Sequence, residues 1–261
     1  VMNQTGTITS IQKDDENEDI VLSITLNVGG QTLTIDKNDT YEKEVSNFDY
    51  QKALDDVAQL DFSENEIILE NVDNKYFITI NGKDIKLDLG AIAKGYATQK
   101  VYDYIKSQDI KYYSITSGSS SIIVGENYER PTEEYIYKVS LANPAKIEIA
   151  DKSTYGTISV KNMSVTTSGD YEQFVLHQGY RYHHIVSPIE KKPVQYYHTV
   201  TVLGQNAGLL DALSTALFSM SPEVMSAWLL EHQDTLGLEL IIYNQDGTIH
   251  TYLKETSFKE H

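Results

Sequence analysis

No cysteine occurs among the 261 residues, which removes disulfides, thiolate metal ligands and cysteine nucleophiles together. That absence leaves the compartment open, because cytoplasmic and exported proteins can both do without cysteine. Long apolar runs are missing as well. None approaches the roughly 18 residues of a membrane span, and no basic stretch with an apolar core precedes Gly6, so the chain is expected to be soluble. It begins at Val1 rather than at a methionine, and a leader, an anchor or another domain is expected to have preceded it. Basic residues are scarce, with 21 Lys and Arg against 38 Asp and Glu and a net charge of -17. Such a surface repels nucleic-acid backbones and anionic membranes, which excludes nucleic acid as a partner. What is present is enough apolar material, 40% of residues, to bury a full core in one large domain or two joined ones.

Alternating apolar and polar residues over Ile20 to Val28 and Gln31 to Ile35, around Gly29-Gly30, predict a hairpin. The acidic run Asp14 to Asp19 predicts a solvated turn, and Phe48 to Leu60 has the apolar spacing of a helix. Strands are expected at Ile67 to Glu70 and Tyr76 to Ile80, with Asn81-Gly82 turning the chain into Ile85 to Leu89. From Gly90 to about Ser107 the residues Ile92, Tyr96, Val101 and Ile105 follow a helical period. Further strands are predicted at Tyr112 to Thr116, Ile122 to Val124, Tyr135 to Leu141, Phe174 to Leu176, Tyr182 to Val186 and Thr199 to Leu203. Helices follow at Gly208 to Ser219 and Pro222 to Leu230, the second with Ser221 as N-cap. A last hairpin pairs Leu238 to Tyr243 with Thr248 to Leu253 through Asp246-Gly247. Clustered strands and helices without regular βαβ alternation read as an α+β fold. No repeat or low-complexity linker divides it, so residues 1–261 are expected to form a single domain.

Asp211 and Thr215 stand four residues apart on one face of a helix, away from Leu210, Leu213 and Leu217. Their oxygens suit a hard cation that keeps positions open for substrate phosphates, although most such pairs are a solvated helix face. His183 and His184 adjoin in a predicted strand, so their imidazoles should point to opposite faces and only one can enter a given site. A neutral histidine is the ready general base near pH 7. Thr166-Thr167-Ser168-Gly169-Asp170-Tyr171 reads as a loop of hydroxyls beside a glycine after a strand end, able to present N–H groups to an anion or to serve as an ordinary turn. The Ser117-Gly118-Ser119-Ser120-Ser121 loop admits the same two readings, and Lys94 beside Gly95 is either a point charge for a phosphate or a solvated lysine.

The order of these segments is more specific than any one of them. Asp88-Leu89-Gly90-Ala91-Ile92-Ala93-Lys94-Gly95-Tyr96-Ala97, then Thr167-Ser168-Gly169-Asp170-Tyr171, then Tyr182-His183-His184-Ile185, then Asp211-Ala212-Leu213-Ser214-Thr215-Ala216-Leu217-Phe218 resemble the ApbE-type FAD:protein FMN transferases, in register from about Leu87 to Tyr252. The resemblance implies an α+β architecture related to the tunnelling fold. It also implies FAD as substrate with Mg2+ on the pyrophosphate, and attachment of FMN to a Ser or Thr hydroxyl of an acceptor flavoprotein with release of AMP. It makes Asp211, Thr215 and the carbonyl of Ala93 the metal ligands and His184 the base. Lys94, Ser120, Thr167 and Ser168 become the residues that contact FAD. It further implies a place outside the cytoplasmic membrane, held by a lipoprotein anchor upstream of Val1.

Three segments depart from the family pattern. Thr5-Gly6-Thr7 precedes a short β-rich stretch where the family carries a long helical segment beside the flavin ring, so that side of the pocket is expected to be altered. Ser187-Pro188-Ile189-Glu190-Lys191 replaces the usual Asp-Pro-x-Thr-Gly after the histidine, and Gly118-Ser119-Ser120 stands in for a double glycine. Two other outcomes therefore stay open beside transfer: hydrolysis of FAD to FMN and AMP, or flavin binding without turnover.

Overall fold

The computed structural model describes residues 7–13, 21–28, 31–36, 66–81, 88–118, 120–144, 153–171, 173–177 and 180–261. The acidic turn, the Gly29-Gly30 turn, the Phe48 to Leu60 helix and the turn at Gly82 lie outside them, as does most of the expected Ile85 to Leu89 strand; Asp88 and Leu89 are described and are not strand. The chain divides into two compact units, Val1–Asp49 with Gln173–His183, and Tyr50–Glu172 with His184–His261.

In the first unit β1 (Thr7–Lys13), β2 (Val21–Val28) and β3 (Gln31–Asp36) form an antiparallel sheet, with Val28 opposite Gln31 as the two-residue hairpin signal requires. β11 (Phe174–His177) and β12 (Tyr180–His183) form a second hairpin.

The described residues of the second unit form three α-helices, α1 (Ala93–Ser107), α2 (Ala207–Phe218) and α3 (Pro222–Leu236). A hairpin of β4 (Glu66–Val72) and β5 (Lys75–Asn81) turns through Asp73 and Asn74, both at positive φ, the type I′ geometry that Asp and Asn tolerate. A six-stranded antiparallel sheet runs in the order β15-β14-β13-β10-β7-β6. Its strands are β6 (Ser114–Ser117), β7 (Ser121–Val124), β10 (Met163–Gly169), β13 (Tyr197–Gly204), β14 (Glu239–Asn244) and β15 (Ile249–Tyr252). A three-stranded sheet is built from β8 (Tyr137–Ala142), β9 (Thr154–Val160) and β16 (Ser257–Glu260).

Alternation along β14 explains how both layers attach to the large sheet. Leu240 and Ile242 join a cluster with Leu210, Leu217 and Phe218 of α2 and Met225 and Leu229 of α3. Ile241 joins a second cluster with Leu141, Tyr155, Ile158 and Val160 of the small sheet. Period-2 side-chain direction therefore gives one strand two buried faces. α3 extends past the expected Leu230 and ends at Gly237, whose positive φ lets Leu238 N–H reach the Gln233 carbonyl at 2.9 Å.

Two sequence expectations are corrected. Thr166-Thr167-Ser168-Gly169 is not a loop: it is the end of β10, paired residue by residue with β13 from Ser164 opposite Gly204 to Gly169 opposite Thr199. Its backbone is committed to the ladder, and its threonines fill the strand role that β-branched side chains favour. The strand expected over Tyr182 to Val186 stops at His183, and Val186 makes only an isolated bridge to Pro193. Strands β9 and β16 were not expected from the sequence, and β1 lies in a stretch read only as β-rich.

Candidate functional site

α1 begins without a side chain of its own to cap it. Gly90 N–H is taken by Asp88 Oδ1 at 2.7 Å, which makes residues 90–92 a turn and delays the helix to Ala93. Ile92 occupies the N-cap position and offers no cap hydrogen bond. The third helical residue, Gly95, instead donates its N–H to Asp211 Oδ2 of α2 at 2.7 Å. Asp211 thus caps α1 from a different helix, placing a carboxylate where the helix dipole is positive.

Only glycine allows this approach. A Cβ at position 95 would lie 2.2 Å from the Ala207 carbonyl oxygen and 2.5 Å from Asp211 Cβ. The same junction is tied a turn later, where Ala207 N–H donates to Gln99 Oε1 at 2.9 Å. α2 itself is capped by Asn206, whose Oδ1 accepts Leu209 N–H at 3.0 Å.

Asp211 is only 5% exposed, unlike the solvated face that such spacing most often gives. Burial pushes its carboxyl above the ordinary carboxylate value, against the opposing pull of the Gly95 N–H and the Lys94 charge. Lys94 runs beside the β6–β7 turn, where Gly118 adopts positive φ and leaves room for the lysine chain. One turn beyond Asp211, a line of hydroxyls joins α2 to β10. Ser168 Oγ lies 2.9 Å from Ser214 Oγ and 3.2 Å from Thr215 Oγ1, and Ser214 donates to the Asp211 carbonyl at 3.0 Å. Ala93, Lys94, Ser168, Asp211 and Thr215 are therefore gathered at one junction of α1, α2 and β10, and Ser214 is an addition that the sequence did not single out.

The remaining candidates lie differently. Thr167 points to the other face of the sheet, where its Oγ1 meets Thr201 Oγ1 at 2.9 Å, while its N–H donates to the Ser120 carbonyl at 2.9 Å. Ser120 Oγ is buried with no hydrogen-bond partner among the described residues, and the same holds for Ser121 Oγ and Thr166 Oγ1 on paired strands. Buried orphan hydroxyls are rare enough to mark groups that a ligand or water completes. His183 is buried and His184 exposed, as opposite-facing neighbours should be.

A second polar cluster went unseen in the sequence. Asp170 has no exposed surface, and its Oδ2 lies 2.9 Å from His198 Nδ1 and accepts Gln245 Nε2–H at 2.8 Å. These residues come from three separate elements, 28 and 75 positions from Asp170. No local spacing could have announced them. Together they fix the backbone immediately after Ser168 and Gly169.

A junction of a buried carboxylate, a helix end, hydroxyls and a lysine is a polar site of the kind phosphates and hard cations use. The sequence model of the ApbE family matches residues 18–239. Among curated relatives, the FAD:protein FMN transferase of Klebsiella pneumoniae (strain 342) is 31% identical over 171 residues, 65% of this chain and 49% of that one. That of Vibrio cholerae serotype O1 is 30% identical over 178 residues, covering 65% and 51%. The chain thus spans about half the length of the curated relatives it matches. The crystal structure of the ApbE protein from Thermotoga maritima superposes with a TM-score of 0.60 at 25% identity, over 77% of this chain and 60% of that one. The flavin transferase ApbE from Vibrio cholerae gives 0.57 at 25% identity, over 78% and 60%. With the family model covering most of the sequence and the α+β architecture matched in solved relatives, the chain belongs to the ApbE family.

Proposed function

We propose that this protein is an FAD:protein FMN transferase that moves FMN from FAD onto a Ser or Thr hydroxyl of an acceptor flavoprotein and releases AMP. The observation that carries the reading is the buried Asp211 carboxylate seated on the N-terminus of α1, beside Lys94 and the Ser168–Thr215 hydroxyl pair. The names of the curated relatives support it.

The residues present fit a magnesium ion. Asp211 is a single buried carboxylate one helical turn before the Thr215 hydroxyl, and Mg2+ is commonly held by one or two carboxylates with the rest of its shell left to phosphate and water. Asp211, Thr215 and the Ala93 carbonyl would hold it, and when bound it supplies charge neutralisation on the pyrophosphate. Lys94 adds a point charge to the same phosphates. Ser168 and the unpartnered Ser120 hydroxyl offer hydrogen bonds to FAD, and Thr167 holds Ser120 in place through its backbone. His184, exposed, accepts the proton of the acceptor hydroxyl as its oxygen bonds to the FMN phosphorus and the bond to AMP breaks. We place this reaction outside the cytoplasmic membrane, on an upstream lipid anchor; among the described residues no helix is long and apolar enough to cross a membrane. Lipid labelling and fractionation of the native protein test that location.

The direct test incubates the chain with FAD, MgCl2 and an acceptor domain carrying a flavinylation threonine. Covalent fluorescence on the acceptor in a denaturing gel is expected. AMP and FMN without labelling would identify a hydrolase, and unchanged bound FAD a binding protein; either overturns the transferase reading. Asp211→Ala is expected to remove the magnesium dependence and lower kcat by about 100-fold or more. His184→Ala should slow transfer while FAD affinity stays within about twofold, the split expected of a base that acts only in the transition state.

A further inference from the structure

Far along the sheet from β6 and β7, a cavity of about 510 Å3 opens between the start of β13, the start of α3 and the β14–β15 turn. Tyr197, one of its lining residues, is 2% exposed, and its hydroxyl has no hydrogen-bond partner among the described residues. A buried phenol normally finds a partner, so this one marks an incomplete arrangement. Tyr196 and Tyr252 also line the cavity. Tyr196 is held at its edge by donating its hydroxyl to Glu190, with its ring centroid 6.0 Å from that of Tyr197.

The chemistry of the walls selects the ligand. Among the described residues they carry no lysine or arginine, and His250 is the one basic residue. Asn244 Nδ2 donates to Thr248 Oγ1, and Gln245 Nε2 donates to Asp170 and the Tyr197 carbonyl. Asp246 is held ionised by bonds from Thr248. The positive end of α3 could have favoured an anion, but Glu223 already occupies its first turn and Ser221 caps it. Burial first, then the Glu223 carboxylate and the neighbouring phenols, keep the proton on Tyr197. Aromatic faces, oxygen acceptors and the carboxylates of Asp246 and Glu223 set the character of this end of the sheet.

We propose that this cavity binds one organic cation, a guanidinium or alkylammonium group that donates to the Tyr197 oxygen and lies against the surrounding tyrosine rings. Planar guanidinium groups stack on aromatic faces and donate to oxygens at the same time. The site is separate from the Asp211 junction and does not depend on the transferase reading.

Calorimetric titration of the full chain with N-acetyl-arginine amide tests it, with N-acetyl-citrulline amide as the uncharged isostere. A Kd of about 1 mM or tighter is expected for the arginine probe, with at least about tenfold weaker binding of the citrulline probe. Tyr197→Phe should weaken the arginine probe by about fivefold or more without lowering Tm, because it removes an unpartnered hydroxyl and leaves the ring. Glu223→Gln should weaken it less. A short arginine peptide that binds much more tightly than the amide would show that the cation arrives on a polypeptide, and equal affinities that it arrives as a free small molecule. Equal binding of arginine and citrulline probes, no binding of either, or no effect of Tyr197→Phe overturns the proposal.

Discussion

A carboxylate that is 5% exposed has to be compensated locally, and for Asp211 the Gly95 N–H and the Lys94 charge do only part of that work. Its pKa is raised in the folded state, so its contribution to stability is fully present below the unfolded value near 3.8 and is lost as pH rises through the folded pKa. Asp211→Asn keeps an oxygen to cap α1 and removes the charge. Its Tm at pH 7 without divalent cations should exceed that of the parent, and the difference should vanish near pH 3; a lower Tm at pH 7 would show that capping outweighs burial. Asp170 is the opposite case, fully buried but doubly bonded. Asp170→Ala would remove the carboxylate facing His198 Nδ1 and one of the two acceptors of Gln245 Nε2, at a cost of about 2 kcal/mol or more in denaturant unfolding.

Among the elements, the crossing of α1 on α2 depends on one absent side chain. Gly95→Ala forces a Cβ to within 2.2 Å of a backbone oxygen, so the helices must separate. The expected loss is about 1–3 kcal/mol, together with weaker FAD binding, measured by urea unfolding and by flavin fluorescence titration. The three helices were legible in the sequence because their apolar residues recur at helical spacing and Ser221-Pro222 marks the start of α3, while its end at Gly237 was missed by six residues. β14 and β15 were legible through Asp246-Gly247. β10 was not, because Thr166-Thr167-Ser168-Gly169 has the composition of a turn, and only burial against α2 and pairing with β13 make it a strand. The site divides in the same way. Motif order located Asp211, Thr215 and Ser168, whereas Ser214 and the Asp170–His198–Gln245 cluster depend on packing between distant segments.

For the whole molecule, a net charge of -17 means that self-repulsion opposes the compact state at low ionic strength. Tm should rise by a few °C as NaCl is increased from about 10 mM to beyond the point where the Debye length falls under about 8 Å. MgCl2 at matched ionic strength should add a further increase that Asp211→Asn lacks, which separates binding from screening. Equal shifts in both proteins would remove the metal from Asp211.

The hydrogen bond from Gly95 to Asp211 spans 116 positions of chain. Closing a loop of that length must be met in entropy before the contact returns anything, whereas the hairpins β14–β15 and β6–β7 join near neighbours. The expected order follows from that difference: the local hairpins form early and the α1–α2 junction closes late. Substitutions at Gly95 should accordingly accelerate unfolding and leave the refolding rate almost untouched. The polar site is then the last region to form during folding and the first to open.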